Sequence, residues 1–487
     1  MKFKSKINLP LVFRIEGFLL LLEGLFMLTV LPVTYLHHGL RAFSMPFSAL
    51  ITLLTGLVLV IATRNHKTEK TSSRDGVFIV CTSWLVVSLF GAMPYLLSKS
   101  VPNFTDGFFE ALSGFTTTGA SVLKNVEAVP KDILFWRSMT QWIGGLAIIV
   151  FTIAILPFLS MGGMQLFVAE TNGINYDKLH PRIMHTAKRV WGVYLFFTLL
   201  ETLLLYWGDM GLYDAVCHSM ATISSGGFST RTANMGAFSN YSQVVVSVFM
   251  VLAGCNFSLL LLSFGRRSFA ILKNQEFNSF LKYILLVGVG IGLVLLFGCH
   301  KSYGSAFRES FFAVISSLTT TGFFVSDYGA WPAFTSILLF LLMFIGACSG
   351  STSGGVKVFR HLIFVKNSML ELKRILHPNA VLPVKINGKS ISTNGIYKNM
   401  AFIFIFFLVF LFGVIVLRFT GNDFETALGA SLGALGNVGT SIGQVGPGGS
   451  YVAFTMGAKW ILMLLMLVGR VELFSLLTLL SRNFWRN

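Results

Sequence analysis

Apolar runs of roughly 18 residues or more recur along this chain, each long enough to cross a bilayer core about 30 Å thick. Lipid offers no hydrogen bonds, so such runs can span it only as helices that satisfy their own backbone groups. The runs lie near 11–34, 46–63, 76–97, 133–157, 190–207, 242–264, 280–299, 334–365, 399–419 and 456–480. They predict an all-α polytopic membrane protein with about ten transmembrane helices. Composition agrees. Of 487 residues, 54% are hydrophobic and only 12% charged, too few charges for the surface of a soluble protein of this length.

The net charge of +17 is distributed as a topology signal. Lys2, Lys4 and Lys6 precede the first run, and Arg64, Lys67, Lys70 and Arg74 follow the second. Lys178, Arg182, Lys188 and Arg189 follow the fourth; Arg266, Arg267 and Lys273 follow the sixth. Lys366, Lys373, Arg374, Lys385 and Lys389 follow the eighth, and Arg482 and Arg486 the last. All these loops share one parity, which predicts cytoplasmic termini and contact with anionic lipid. Scattered clusters without a reader motif argue against a nucleic-acid partner. Cys81, Cys217, Cys255, Cys299 and Cys348 form no C-x-x-C pair and read as small hydrophobes. The basic N-terminus and the long run after it read as a retained span, not a cleaved signal.

Four internal segments resemble one another. "DGFFEALSGFTTTGAS" begins at Asp106, "DAVCHSMATISSGGFS" at Asp214, "ESFFAVISSLTTTGFF" at Glu309 and "ETALGASLGALGNVGTSIG" at Glu425. Each places an acidic residue and a short apolar piece before a Thr/Ser/Gly-rich break, between two spans. The acidic residue lies 13 positions before Gly119, Gly227 and Gly322, and 14 before Gly439. Gly226 is an alternative anchor in the second copy. The pieces are too short to cross, and parity puts all four on the outer side. The pattern predicts four re-entrant pore helices around one axis. Glycine can adopt positive φ, so successive carbonyls can aim at a common point. A ring of carbonyls can replace the hydration shell of an alkali cation, and helix C-termini favour positive charge there. Small residues also serve close helix packing; four matched copies favour the pore.

"SGFTTTGAS", "ISSGGFST", "SLTTTGF" and "GNVGTSIG" resemble the filter segments of the Trk/Ktr/HKT superfamily of K+ transporters. Residues 141–167, "QWIGGLAIIVFTIAILPFLSMGGMQLF", resemble Trk-type bacterial potassium uptake proteins, the TrkH/TrkG-like branch. The resemblance implies a two-span leader (1–70) and four pseudo-symmetric span–pore-helix–span repeats, 71–170, 171–275, 276–395 and 396–487. It implies K+ as the transported ion, with no organic cofactor. Glycine at all four anchors implies K+ preference, where serine at the first would favour Na+. The expected filter residues are Thr116, Thr117, Thr118 and Gly119; Ile223, Ser224, Ser225, Gly226 and Gly227; Thr319, Thr320, Thr321 and Gly322; and Gly436, Asn437, Val438 and Gly439. The fourth segment departs from the family pattern, with Thr440 where a proline commonly follows. Further implications are the bacterial inner membrane, a homodimer and a cytosolic ring of nucleotide-binding subunits. The polar link 366–398 suits such a docking role.

Inside the eighth run lies "GACSGSTSGGVK": Gly346, Ala347, Cys348, Ser349, Gly350, Ser351, Thr352, Ser353, Gly354, Gly355, Val356 and Lys357. Each glycine costs a helix interior roughly 1 kcal/mol against alanine, so this stretch predicts a break. It is expected to cross the pathway as a gate, as the family's intramembrane loop does. Arg470, mid-depth in the last span, is expected to pair with it and to oppose cations, since a charge at that depth faces protein or water. The acidic residues Asp106, Asp214, Asp327, Asp423 and Glu425 read mainly as solvated charges near the outer mouth. No catalytic motif is present, and a membrane enzyme is the remote alternative. Coupling of K+ to H+ or Na+ is a nearer one, and it would use a mid-span carboxylate, of which Glu201, besides Glu472, is the only serious candidate.

Overall fold

The structure, a computed structural model, describes residues 7–38, 43–66, 72–154, 179–266, 270–471 and 473–485. Lys2, Lys4, Lys6, Lys67, Lys70, Lys178, Arg267, Glu472 and Arg486 lie outside the described residues, as do 155–167 of the quoted 141–167 stretch. Helices dominate, and the only strands among the described residues are Lys385–Ile386 and Lys389–Ser390, paired antiparallel.

Among the described residues, six helical stretches are long and apolar enough to cross a membrane: Leu9–His37, Ser44–Thr63, Arg74–Leu97, Lys188–Trp207, Gln275–Gly298 and Thr393–Phe419. Large apolar side chains such as Phe18, Leu22, Leu199, Leu286, Phe404 and Ile415 point outward along them. In water this would be a liability; in lipid it is the expected face. Three other predicted runs are interrupted. The run 242–264 is two helices, Asn240–Ala253 and Phe257–Arg266; 334–365 is Ala333–Ile345 and Val358–Leu376; 456–480 is Met456–Arg470 and Leu473–Leu480. The described part of the run 133–157, residues 133–154, falls on helix Lys131–Ala154.

The first two spans meet backbone to backbone. A Cβ on Gly17 would lie 3.0 Å from the Gly56 carbonyl, and one on Gly56 would lie 2.8 Å from the Gly17 carbonyl. Such close approach lets helices gain packing where lipid removes any hydrophobic drive. Two large apolar cores follow. One gathers Phe109, Phe115 and Trp136 with Phe402, Phe406 and Leu435; the other gathers Phe197, Phe249, Phe280 and Phe312. A third, small core holds Ile363, Val384, Ile386, Ile391 and Ile396.

Between the spans lie four shorter helices, Phe104–Phe115, Leu212–Ile223, Tyr303–Leu318 and Phe424–Leu435. With 12, 12, 16 and 12 residues they reach about 18–24 Å, short of a full crossing. Asn103, Ser302 and Asp423 cap three of them by accepting a backbone N–H in the first turn. The third starts earlier than its acidic residue suggested. Glu309 lies inside it, ion-paired with Lys301 at 2.5 Å.

Candidate functional site

The four short helices end alike. After the last helical residue, Thr117, Ser225, Thr320 and Asn437 take φ of 51°, 54°, 56° and 51°. Two residues later Gly119, Gly227, Gly322 and Gly439 take φ of 79°, 77°, 78° and 76°. Each end closes the same way: Thr118 N–H donates to the Ser113 carbonyl, Gly226 to Ala221, Thr321 to Ser316 and Val438 to Gly433, at 2.8–3.0 Å. This six-to-one bond, with the bond one residue before it, is a Schellman motif, and it turns the chain sharply away from the helix.

The segments then close on one another. A Cβ on Gly119 would come under 3.0 Å from the Gly226 carbonyl oxygen, and one on Gly227 from that of Thr321. Gly322 stands in the same relation to Val438, and Gly439 to Thr118. First meets second, second third, third fourth, and fourth first. Gly227 therefore holds the position of the other anchors, and Gly226 that of Thr118, Thr321 and Val438. Thr116–Gly119, Ser224–Gly227, Thr319–Gly322 and Gly436–Gly439 are equivalent and come together. Ile223 stands one place before this equivalent set. It is the last residue of its helix, and its carbonyl accepts from Thr352 Oγ1 at 3.1 Å.

Side chains whose contacts no motif foretold hold this ring. Gln141 Nε2 donates to the Gly226 carbonyl at 2.6 Å, and its Oε1 accepts the Phe228 N–H at 3.1 Å. Asn437 Nδ2 donates to Thr118 Oγ1 at 2.9 Å and to the Met466 carbonyl at 3.0 Å. The Tyr451 hydroxyl donates to the Gly439 carbonyl at 2.6 Å. Behind the ring, Arg137 Nε lies 2.6 Å from Glu110 Oε1, both side chains buried, and Arg137 Nη1 donates to the Ser229 carbonyl. The guanidinium also stacks on Phe228, 3.4 Å from the ring centre. Arg137→Ala strands Glu110 as a buried charge and is expected to cost about 3–5 kcal/mol. The check is the melting temperature in detergent, where Glu110→Gln/Arg137→Met together should cost less than Arg137→Ala alone.

The break at 346–357 lies against the same tier. Thr352 Oγ1 meets Ser225 Oγ at 2.8 Å, and Gly354 N–H donates to Thr320 Oγ1 at 2.7 Å. A Cβ on Gly354 would press on the Gly436 carbonyl. Three of the four segments thus touch the loop directly. Arg470, 3% exposed, reaches the rest: Nη1 donates to the Thr352 carbonyl at 2.9 Å and Nη2 to that of Gly144 at 3.2 Å. Gly144 itself packs on the Phe115 carbonyl, at the end of the first short helix. Lys357, at φ 80°, folds back and donates to Ser351 Oγ, Ser353 Oγ and the Ser353 carbonyl. Gly346, Gly350 and Gly355 also have positive φ. Ala347 and Cys348 are buried, and the Ser349 N–H donates to Glu276.

Two of the five acidic residues, Asp106 and Asp214, are less solvated than expected, while Asp327, Asp423 and Glu425 are exposed. Asp106 is buried and ion-paired with Lys459 at 2.6 Å. Asp214 pairs with Arg231 at 3.0 Å and accepts from Thr230. Asp327 and Asp423 cap helices, and the Thr426 N–H on Asp423 holds its carboxyl below the ordinary range. Glu425 is exposed. Partial desolvation pushes Glu127 up, but the Thr232 hydroxyl and N–H outweigh it and hold this carboxyl low. That pair ties the connection after the first segment to the one after the second. Glu201 is buried beside Thr222, with neither oxygen in a well-formed hydrogen bond among the described residues. It is not the lone mid-span carboxylate described: Glu16 and Glu23 lie buried in the first span, and Glu276 is buried at the start of Gln275–Gly298.

Comparison with known proteins agrees with this architecture. The TrkH family of cation transport proteins matches residues 45–486. The chain is 38% identical over 483 residues to the Trk system potassium uptake protein TrkH of Escherichia coli (strain K12), covering 97% of this chain and 98% of that protein. It is 34% identical over 424 residues to the Trk system potassium uptake protein TrkG of the same strain, covering 85% and 86%. The crystal structure of the potassium transporter TrkH from Vibrio parahaemolyticus superposes with a TM-score of 0.90 at 35% identity, over 98% of this chain and 100% of that one. By fold and by sequence over nearly its full length, this chain belongs to the TrkH family of cation transport proteins.

Proposed function

We propose that this chain carries potassium into a bacterial cell across the inner membrane, through a pore lined by its four glycine-anchored segments. The observation that carries the reading is the closed ring of anchor glycines and neighbouring carbonyls. A dehydrated K+ needs oxygen ligands on all sides, and carbonyls from four repeats supply them without a charged side chain. The filter comprises Thr116–Gly119, Ser224–Gly227, Thr319–Gly322 and Gly436–Gly439. The loop 346–357 and Arg470 form the gate beneath it. Ten crossings, a two-span leader and four repeats with cytoplasmic termini accommodate this pore. The membrane chain works as a homodimer regulated by a cytosolic nucleotide-binding ring, as a partner on the gate side of the filter would allow. Membrane potential supplies the drive, about 2.3 kcal/mol per charge for each 100 mV.

Radioactive rubidium uptake into proteoliposomes, under an imposed voltage and no pH gradient, tests this. Uptake under voltage alone is the expected result. Uptake that required a proton gradient would instead give the buried Glu201 a coupling role, and no uptake with or without the cytosolic partner would overturn the reading.

A further inference from the structure

The polar connection after helix Val358–Leu376 holds a hairpin whose turn is Asn387–Gly388, at φ 50° and 78°. Left-handed residues at both positions make the tight turn that Asn-Gly favours. Val384, Ile386 and Ile391 bury one face of the hairpin against Ile363 and Ile396, so the turn is held firmly. Its tip meets helix Gln275–Gly298, where Asn387 Oδ1 accepts the Gln275 N–H at 2.8 Å. That N–H has no partner within its own helix, and Asn274 already takes the N–H groups of Glu276 and Phe277. The hairpin thus completes the helix cap.

The next residue reaches the intramembrane loop. Glu276, 6% exposed, accepts the Ser349 N–H on Oε1 at 2.5 Å. Charge-assisted bonds of this kind are about twice as strong as neutral ones. Ser349 lies three residues before Thr352, which touches the second segment. Lys366 clamps the assembly, donating to Gln275 Oε1 at 2.7 Å and to the Lys385 carbonyl at 2.8 Å. Lys366 stands on the helix that begins where the loop ends.

We infer that Glu276 is a positioning residue that holds the 346–357 loop against the filter, and that Asn387 in turn positions Glu276, linking the hairpin to the loop through one helix turn. This rests on the reading of the loop as a gate. A push on the hairpin, from the polar side of the protein, moves the Glu276 carboxylate and with it the loop. Rubidium uptake by the full chain in proteoliposomes, without the cytosolic partner, provides the test. Glu276→Ala is expected to raise uptake about ten-fold, the scale of one lost charged hydrogen bond. Glu276→Gln keeps an acceptor and should restore most of the parent's low uptake. Asn387→Ala, on an exposed turn outside the membrane core, should raise uptake about two- to three-fold alone and add nothing to Glu276→Ala. Exclusion of Na+ should stay as in the parent throughout, whereas general damage would loosen it. Parent-level uptake in Glu276→Ala and Asn387→Ala, or multiplying effects in the double variant, overturns the link while Arg470→Ala still opens the pathway. Parent-level uptake in Arg470→Ala as well overturns the gate reading, and the link with it.

Discussion

Gly227→Ala is expected to lower rubidium uptake by about a hundred-fold or more while the protein still inserts. Two effects add at this position. The residue sits at φ 77°, where a left-handed conformation costs a side chain about 1–2 kcal/mol. The new methyl would also drive into the Thr321 carbonyl oxygen and press on its carbon at 3.0 Å. That obstacle is backbone, held by the Schellman bond from Thr321 N–H to the Ser316 carbonyl, so it cannot swing aside as a side chain would. The neighbouring segment must shift, and the ring opens at the joint between the second and third segments. Displacing a carbonyl from a dehydrated cation needs to cost only about 2.8 kcal/mol to give a hundred-fold. Gly457→Ala is the matched control, since nothing lies within 4 Å of the methyl it would add. Uptake and sodium competition are measured together, and parent values for both in Gly227→Ala would remove the ring from the account.

The ring was legible in the sequence because its anchors announce themselves locally. A glycine follows a short apolar piece and small hydroxyl residues, and the pattern recurs. The helix break at 346–357 was legible for a similar reason: clustered glycine and serine cannot continue a buried helix. What holds these parts together was not. Glu110 and Arg137 are 27 residues apart, Gln141 and Gly226 are 85 apart, and Asn437 and Thr118 are 319 apart. Glu110, Arg137 and Gln141 each read alone as ordinary polar residues, and only the fold brings each to its partner. The register of the second segment was hidden for a related reason. "ISSGGFST" carries two glycines, so composition does not fix the register, whereas the left-handed Ser225 does. Asp106 was misjudged because Lys459 lies 353 residues away, and Asp214 because Arg231, 17 residues on, reaches it only once the chain has turned back after the short helix.

Arg470→Ala is expected to raise uptake in the absence of the cytosolic partner by at least about thirty-fold. The guanidinium does two things at once. Its Nη1 holds the Thr352 carbonyl and its Nη2 that of Gly144, so it staples the loop to the wall beside the first segment. It also places a fixed positive charge, 3% exposed, next to the tier where the four segments converge. A unit charge about 4 Å from a passing cation repels it by about 4 kcal/mol at an effective dielectric of about 20. Half of that is already close to thirty-fold. Arg470→Lys separates the two effects. It keeps the charge but not the fork that spans both carbonyls, so uptake should rise only modestly. Deleting 347–353 removes what the staple holds but leaves the charge, and should raise uptake less than combining the deletion with Arg470→Ala. A purely structural arginine would behave differently: Arg470→Ala would melt earlier in detergent and yet carry rubidium at the parent rate, still dependent on the partner. That outcome would leave the loop as a kink in a broken helix and would move the barrier to conduction elsewhere in the protein.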